Sequence, residues 1–235
     1  MKYKFVYDPN ILESLNNSLS EEETKIVLAT VVGKHNAIFY GYRPERLVNA
    51  IKRLTSTEAF VEQKTFSDID DGLNNSRGGI MYLKDFDVWK ISEQQFLYGY
   101  TVNDTNRTTQ FIATASISPV AGVIRDVLNN FDIVYRCKES EKIPKDKENL
   151  IHKNYDNILR FRTKLRSAHF ITSTELTLSD YWMGDGVFSK VRKVQEDDPV
   201  YARKIALVAR SLSDVEYSCY TEMEHLHEAV TFYKE

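Results

Sequence analysis

The sequence contains few of the residues that mark fibrous, disulfide-rich and low-complexity proteins. It has nine glycines, five prolines and two cysteines in 235 residues, whereas average usage is about 7% glycine and 5% proline. Collagen-like, linker-like and low-complexity classes are therefore excluded. The shortage of glycine also limits any phosphate-binding loop, which needs several glycines together. With 42% hydrophobic and 28% charged residues, the chain has the composition of a folded globular protein.

The remaining absences concern redox chemistry, nucleic acids and membranes. Cys137 and Cys219 are far apart in sequence, so neither a disulfide framework nor a paired-cysteine zinc site is expected. The formal net charge of −3 lacks the basic excess of a dedicated nucleic-acid coat. Neither a signal peptide nor an apolar run of roughly 20 residues is found. We therefore expect a cytoplasmic protein with no metal ion and no membrane contact.

The first part of the chain alternates between strand and helix patterns. Residues 20–23 read Ser-Glu-Glu-Glu, a capping box that predicts the start of a helix. The apolar run 36–40 before Gly41 predicts a buried strand. After Pro44, the apolar residues of segment 47–54 recur at spacings of four and three, which predicts a helix. This segment is thus expected to be a strand, a turn and a helix.

The same reading continues to about residue 137. Further strands are predicted at 59–63, 80–83, 111–115 and 131–135. The polar segment 68–77 predicts a loop, and Phe96, Tyr98 and Tyr100 alternate as on one face of a strand. Ser118 before Pro119 predicts the cap of one helix running through Val127. Strands that alternate with helices predict an α/β fold with a mainly parallel sheet.

The second part of the chain has mostly helical patterns. Residues 138–150 are charged and include Pro144, which indicates a linker. Asp198 and Pro199 predict the cap and first residue of a long helix, and residues 221–224 predict a second capping box. We therefore predict an α/β domain over 1–137, a linker over 138–150 and a helical domain over 151–235.

Five segments, taken in order, carry a resemblance to one family. Residues 33–36, 78–83, 127–133, 205–215 and 224–230 are similar to segments of the Mg-chelatase-like AAA+ ATPases. That family includes the ATPase subunit of the chelatase and bacterial relatives linked to DNA uptake and branch migration. The resemblance implies an AAA+-like P-loop-type core followed by a small all-helical C-terminal domain.

The resemblance also shows which ATPase residues are replaced. In the stretch that matches the P-loop, Gly41 is the glycine that remains, while Leu47 and Val48 stand where the phosphate-binding Lys and the Mg²⁺-binding hydroxyl belong. Pro44 removes a backbone donor from the same stretch. Lys84 stands at the first Walker B acid, where a cation repels Mg²⁺.

Further positions of the nucleotide site depart from the family in the same way. Ser118 stands at the polar sensor position, Asn130 replaces the arginine that would act on a neighbour's phosphate, and Val200 falls where a sensor arginine belongs. Asp85 stands at the second Walker B acid, but Asp85 and Asp87 are predicted to be solvated loop acids. The positions of a degenerate nucleotide site are therefore Gly41, Arg43, Arg46, Lys84, Asp85 and Ser118.

These replacements lead to two expectations about function. The first is a catalytically inactive AAA+-like protein without a cofactor, which acts through a protein partner or by self-assembly. The alternative is a relative that binds ATP or ADP without tightly bound Mg²⁺, through Arg43, Arg46 and Lys84, with a DNA-linked role by family analogy. The basic run 160–166 is the densest candidate for nucleic-acid contact, although such runs are usually solvated helix faces. His225 and His227 are two apart on a helix, so they face different directions and form no metal pair.

Overall fold

The computed structural model describes residues 18–55, 60–103, 109–139, 183–216, 218 and 220–232. The strands are β1 (Ala37–Gly41), β2 (Phe60–Gln63), β3 (Ile80–Leu83), β4 (Gln110–Ala115) and β5 (Ile133–Cys137). The helices are α1 (Glu21–Gly33), α2 (Glu45–Leu54), α3 (Ile69–Asn75), α4 (Ile91–Asn103), α5 (Pro119–Gly122), α6 (Arg125–Leu128), α7 (Asp185–Asp197), α8 (Pro199–Val215) and α9 (Met223–Thr231). The chain forms two compact units, an α/β unit with β1–β5 and α2–α6, and a helical unit with α1 and α7–α9. Most of the predicted linker and all of the basic run 160–166 lie outside the described residues.

The α/β unit is built on one five-stranded sheet. Its order is β2-β3-β4-β1-β5 and every neighbouring pair is parallel. Strand β1 is an inner strand, with Phe39 opposite Thr114 of β4 and Tyr135 of β5. The apolar residues of β1 are fully buried, as expected for a parallel sheet covered on both faces. The predicted α/β class with a mainly parallel sheet is thus confirmed, and the sheet is compatible with a Rossmann or P-loop-like core.

One asparagine aligns the beginnings of three strands. The backbone N–H of Asn36 donates to the Asp132 carboxylate, at 3.2 Å, just before β5. Its side-chain oxygen accepts the N–H of Phe111 on β4, at 2.8 Å, and its side-chain nitrogen donates to the Asn130 carbonyl oxygen. These bonds fix the register at the amino ends of the strands, so their carboxyl ends lie at a common edge.

Two sequence predictions on helices of this unit are wrong. Residues 68–77 were expected to form a loop, but α3 occupies most of this segment, with Ile69 and Leu73 buried on one face. Gly72 lets this helix lie close to the sheet, since a Cβ there would come within 2.6 Å of Gln63 Oε1. The alternating aromatics 96–100 were expected in a strand, but they lie on α4.

The helix predicted after Ser118 is present as two short helices. α5 ends at Gly122, Val123 is extended, and α6 begins at Arg125. Ser118 is the N-cap residue of α5 and Pro119 is its first residue, as predicted, but the Ser118 side chain makes no capping hydrogen bond to the helix. The break matters for the site, because it places the Gly122 backbone against the loop that follows β3.

In the helical unit, α8 packs against α1, α7 and α9. The capping box of Ser20 and Glu23 at α1 is confirmed, as is the Asp198 cap of α8, whose side chain accepts the N–H of Tyr201. The last capping box is shifted by one residue, because α9 is capped by Glu222 and His225. The predicted domain 1–137 contained α1, whereas this helix groups with α7–α9.

Candidate functional site

The carboxyl edge of the sheet is where a ligand is expected. From β1 the chain runs to β2 at one side of the sheet, and from β4 it runs to β5 at the other side. In open parallel sheets such a change of direction leaves a crevice outside the carboxyl ends of the strands, where ligands bind. The sequence-predicted site positions all lie at or after the carboxyl ends of strands: Gly41 is the last residue of β1, Arg43 and Arg46 follow it, Lys84 and Asp85 follow β3, and Ser118 follows β4.

The connection from β1 to α2 is a tight turn held against β5. Gly41 has a φ of 93°, and a Cβ there would lie 2.7 Å from the Cys137 carbonyl oxygen. The same oxygen accepts the N–H of Tyr42 at 3.0 Å. Arg43 also has a positive φ, of 45°. Both left-handed residues are needed because three residues alone join the strand to the helix.

Three backbone donors at this turn, the N–H groups of Tyr42, Arg46 and Leu47, are used within the chain. The N–H of Arg46 donates to the Arg43 carbonyl oxygen at 3.2 Å, and that of Leu47 to the Pro44 carbonyl oxygen at 3.1 Å. A phosphate-binding loop instead points several N–H groups outward around the anion. Leu47 and Val48, at the Lys and hydroxyl positions of the motif, are buried in the core. The turn therefore has the geometry of an ordinary strand-to-helix connection.

Two arginine side chains at the turn contact the same aromatic ring. The Arg43 and Arg46 guanidinium carbons lie 5.4 and 5.8 Å from the centroid of the Tyr42 ring, within the range of cation–π attraction. Arg46 also donates to the Lys138 carbonyl oxygen at 2.8 Å, beyond the end of β5. The structure thus brings together two of the three predicted basic residues, and Arg43 is exposed.

The turn after β3 is fixed by its backbone. Asp85 adopts a left-handed conformation with a φ of 48°, and its N–H donates to the Thr114 hydroxyl at 3.2 Å. That hydroxyl lies 3.1 Å from the phenol oxygen of Tyr82. Burial raises the pKa of Tyr82 to about 12, so the phenol is neutral and can donate at physiological pH. The Lys84 N–H donates to the Gln63 carbonyl oxygen at 3.0 Å.

Asp87 is the residue of this edge that the sequence reading missed. It was expected to be a solvated loop acid, but its carboxylate accepts the Ser116 N–H at 3.1 Å, the Ser116 hydroxyl at 2.6 Å and the Ile117 N–H at 3.3 Å. Gly122 makes this approach possible, since a Cβ there would lie 2.9 Å from the Asp87 Cβ. Nothing in the sequence indicates the pairing, because the partners are 29 and 30 residues apart.

Gln94 also forms hydrogen bonds to the two segments that Asp87 joins, residues 84–90 and 116–124, which we call the paired loops. Its side-chain nitrogen donates to the carbonyl oxygens of Trp89 and Gly122, both at 3.0 Å. Its side-chain oxygen accepts the Ile124 N–H at 3.0 Å. Gln94 is 1% exposed, so the protein supplies all three partners in place of water. The paired loops are therefore rigidly joined by Asp87 and Gln94.

Three exposed apolar side chains lie on or next to the paired loops. Val88, Ile91 and Ile117, which we call the apolar trio, are 71%, 67% and 52% exposed. Val88 adjoins Asp87 in sequence, and Asp87 binds the N–H of Ile117, so the side chains are carried by one fixed piece of backbone. Single exposed apolar residues are normal on a protein surface, and these three are carried by segments that Asp87 and Gln94 hold together.

The other positions implied by the resemblance have local roles or lie apart. The Asn130 side chain donates to the Thr101 hydroxyl at 3.0 Å, so it is engaged within the α/β unit. Val200 is an exposed residue at the start of α8 in the helical unit. Within the described residues, no group of three or more His, Cys, Asp or Glu side chains is placed to hold a metal ion.

None of the helices among the described residues is both long and apolar enough to cross a membrane. No protein-family model matches the sequence, and a search of curated proteins finds no match.

Proposed function

We propose that this chain is a catalytically inactive relative of the Mg-chelatase-like AAA+ ATPases and that it acts by binding another protein or a second copy of itself. One observation carries the proposal. In the turn where such an ATPase binds phosphate, the N–H groups of Tyr42, Arg46 and Leu47 donate to acceptors of the chain itself. The relation to the ATPase fold is supported by the all-parallel sheet, which is compatible with a P-loop-type core.

The loss of hydrolysis follows from what phosphoryl transfer requires. Such enzymes hold Mg²⁺ with a hydroxyl and an acid, and they neutralise the terminal phosphates with a lysine. Here Leu47 and Val48 are buried apolar residues, and Lys84 places a cation where the acid should be. Each replacement removes charge stabilisation from the transition state. Together they leave the α/β unit as a folded framework without its motor chemistry.

The binding role is supported by the apolar trio. Its backbone is fixed through Asp87 and Gln94 before any partner arrives, so binding would not have to order a loop. A preorganised apolar surface of this kind favours association with another macromolecule.

Two measurements on the full chain test this function. The first is phosphate release from Mg-ATP, beside an active P-loop ATPase, and turnover by this chain would show the proposal to be wrong. The second compares three proteins: the wild type, Ile117→Asp and the control Asp126→Asn on α6. Their molecular masses are measured by light scattering, and the cellular proteins that each of them captures are identified. We expect Ile117→Asp to lose self-association or a specific captured protein that the wild type and the control retain. Equal behaviour of all three proteins would show that the apolar trio is not the binding surface.

A second candidate function is anion or nucleotide binding without Mg²⁺. The observation that favours it is the pair of guanidinium groups on the Tyr42 ring. Calorimetry with ADP in the absence of metal tests it, using Arg43→Gln and the exposed control Arg125→Gln. Binding that Arg43→Gln alone abolishes would favour this candidate. The DNA-linked role rests on family analogy, and the absence of a gel shift at low salt would argue against it.

A further inference from the structure

The outer side of α4 is exposed and carries no charge. Of the 13 residues of this helix Glu93 alone is charged, in a chain of which 28% of residues are charged. The Glu93 carboxylate accepts the Lys90 N–H at 2.8 Å, at the start of the helix. Gln94 and Leu97 are buried on the inner side. The outer side, which we call the α4 face, consists of Ser92, Gln95, Phe96 and Gly99.

Phe96 gives this face a fixed apolar side chain. It is 44% exposed, and its ring lies edge-on to the Phe66 ring, with the centroids 5.3 Å apart. The Phe66 ring in turn lies 6.1 Å from that of buried Trp89. The Phe96 ring is therefore supported on the side of the protein, while its remaining surface meets water. Covering that surface with a partner costs little side-chain entropy, because the ring is already held.

Gly99 leaves a gap three residues further along the same face. A Cβ added there would meet no atom of the described residues within 4 Å. Gly99 lies inside a regular helix, and its φ is not in the left-handed region. Neither its conformation nor its packing in the described part of the chain therefore requires glycine, which is less favourable than alanine inside a helix. A gap of this kind can receive a side chain from another helix.

Phe96 and Gly99 complement each other when α4 meets a second copy of itself in antiparallel orientation. Residues three apart share one helix face and differ in height by about 4.5 Å along the axis. A two-fold axis midway between them sets Phe96 of each copy opposite Gly99 of the other. One short segment therefore supplies both the projecting ring and the gap that receives it.

The absence of charge on the α4 face favours a second copy over a charged partner. Two copies of a charged face repel each other when they pair about a two-fold axis. A charged partner loses hydration against a face that offers no opposite charge. The α4 face has neither cost when it pairs with itself. The cores of protein interfaces are likewise poor in charged residues and rich in aromatic ones.

We propose that the α4 face pairs with the α4 face of a second copy of this chain, with Phe96 of each copy packed against Gly99 of the other. The pairing identifies the second copy named under the proposed function, and it rests on that part of it. One helix face is smaller than a standard protein interface. The pairing is therefore expected to be weak and reversible.

Sedimentation equilibrium of the full chain, from about 5 to about 500 μM, covers the range of such a weak pairing. We expect the wild type to form dimers as the concentration rises. Phe96→Ala should raise the dissociation constant at least about tenfold, as for a truncated hot-spot residue. The control Tyr98→Ala removes another exposed aromatic side chain of α4 outside the face and should leave the constant unchanged. A wild type that stays monomeric, or an equal loss in both variants, would overturn the proposal.

Gly99→Leu distinguishes a fitted pair from simple adhesion between apolar surfaces. The leucine side chain enters open space, so the monomer should stay folded, but the gap for Phe96 is lost and pairing should weaken at least about tenfold. The control Gly186→Leu changes an exposed glycine of α7 that also has nothing within 4 Å, and it should pair as the wild type does. Unchanged or stronger association of Gly99→Leu would overturn the proposal, because added apolar area alone would then account for the association.

These outcomes are separate from those of the proposed function. Release of phosphate from Mg-ATP would refute the proposed inactivity without affecting the pairing of α4. A wild type that stays monomeric would overturn the pairing, whereas capture of a cellular protein that Ile117→Asp loses would still support binding of another protein.

Discussion

Replacing Asp87 by alanine is the sharpest test of how the carboxyl edge of the sheet is held. The carboxylate accepts two backbone N–H groups and one hydroxyl from Ser116 and Ile117. A hydrogen bond to a charged group contributes about 1.5–3 kcal/mol when well formed. These bonds are partly exposed to water, so we discount their sum to about 2 kcal/mol. Asp87→Ala should lower the free energy of opening the paired loops by this amount, while the sheet stays folded.

Amide hydrogen exchange measures that release locally. A loss of about 2 kcal/mol corresponds to roughly 30-fold faster exchange, and the Ser116 and Ile117 amides should show it. Asp87→Asn keeps one acceptor oxygen and should give an intermediate change. Asp126→Asn, an exposed acid on α6, should leave both amides as they are in the wild type. If exchange in Asp87→Ala equals that of Asp126→Asn, the carboxylate does not hold the paired loops.

Two further predictions use the same edge of the sheet. Gly122→Ala should lower stability by about 1–3 kcal/mol, because its Cβ would overlap Asp87. Gly99→Ala, on α4 with nothing within 4 Å, should instead stabilise by about 0.5–1 kcal/mol, and chemical denaturation of both variants checks the opposite signs. Tyr82 has its pKa raised by burial to about 12, so its contribution is complete below pH 10 and is lost as pH rises towards 12. Tyr82→Phe, which lacks the bond to Thr114, should therefore lose less stability than the wild type between pH 10 and pH 12, and an identical loss in both proteins would contradict the assignment.

The local patterns of the sequence were sufficient for much of the fold. Apolar runs predicted the strands, and periodic apolar residues predicted α2, because each pattern reports burial of a face that the element itself carries. The cap signals at Ser20 and Asp198 were correct for the same reason, since a cap acts on the residues beside it.

The wrong predictions came from residues whose role depends on distant partners. By residue type alone, Gly72 suggests a loop. In the structure it lies on a helix against Gln63, where a side chain would not fit. The alternation of aromatics on α4, taken alone, is also consistent with a strand. The role of buried Gln94 is visible only from its hydrogen bonds to the loop after β4. In the same way, α1 carries no mark in its sequence that it packs against α8.

For the candidate site, the sequence indicated the position and the structure indicated the chemistry. The six predicted residues lie at or after the carboxyl ends of strands, where ligands bind in open parallel sheets. However, no pattern could show that the N–H groups of Tyr42, Arg46 and Leu47 donate to the chain itself, or that Asp87 accepts the N–H groups of Ser116 and Ile117 after β4. Both facts depend on hydrogen bonds between segments that only folding brings together.

Whether the turn after β1 has lost phosphate binding is tested by following the amides of Tyr42, Arg46 and Leu47 by NMR while Mg-ATP is added to the full chain. These amides already donate within the protein, so we expect their resonances to stay where they are as the nucleotide concentration rises. Saturable shifts of all three resonances, together with release of phosphate, would mean that the turn binds nucleotide as an active P-loop does, and the proposed inactivity would be wrong.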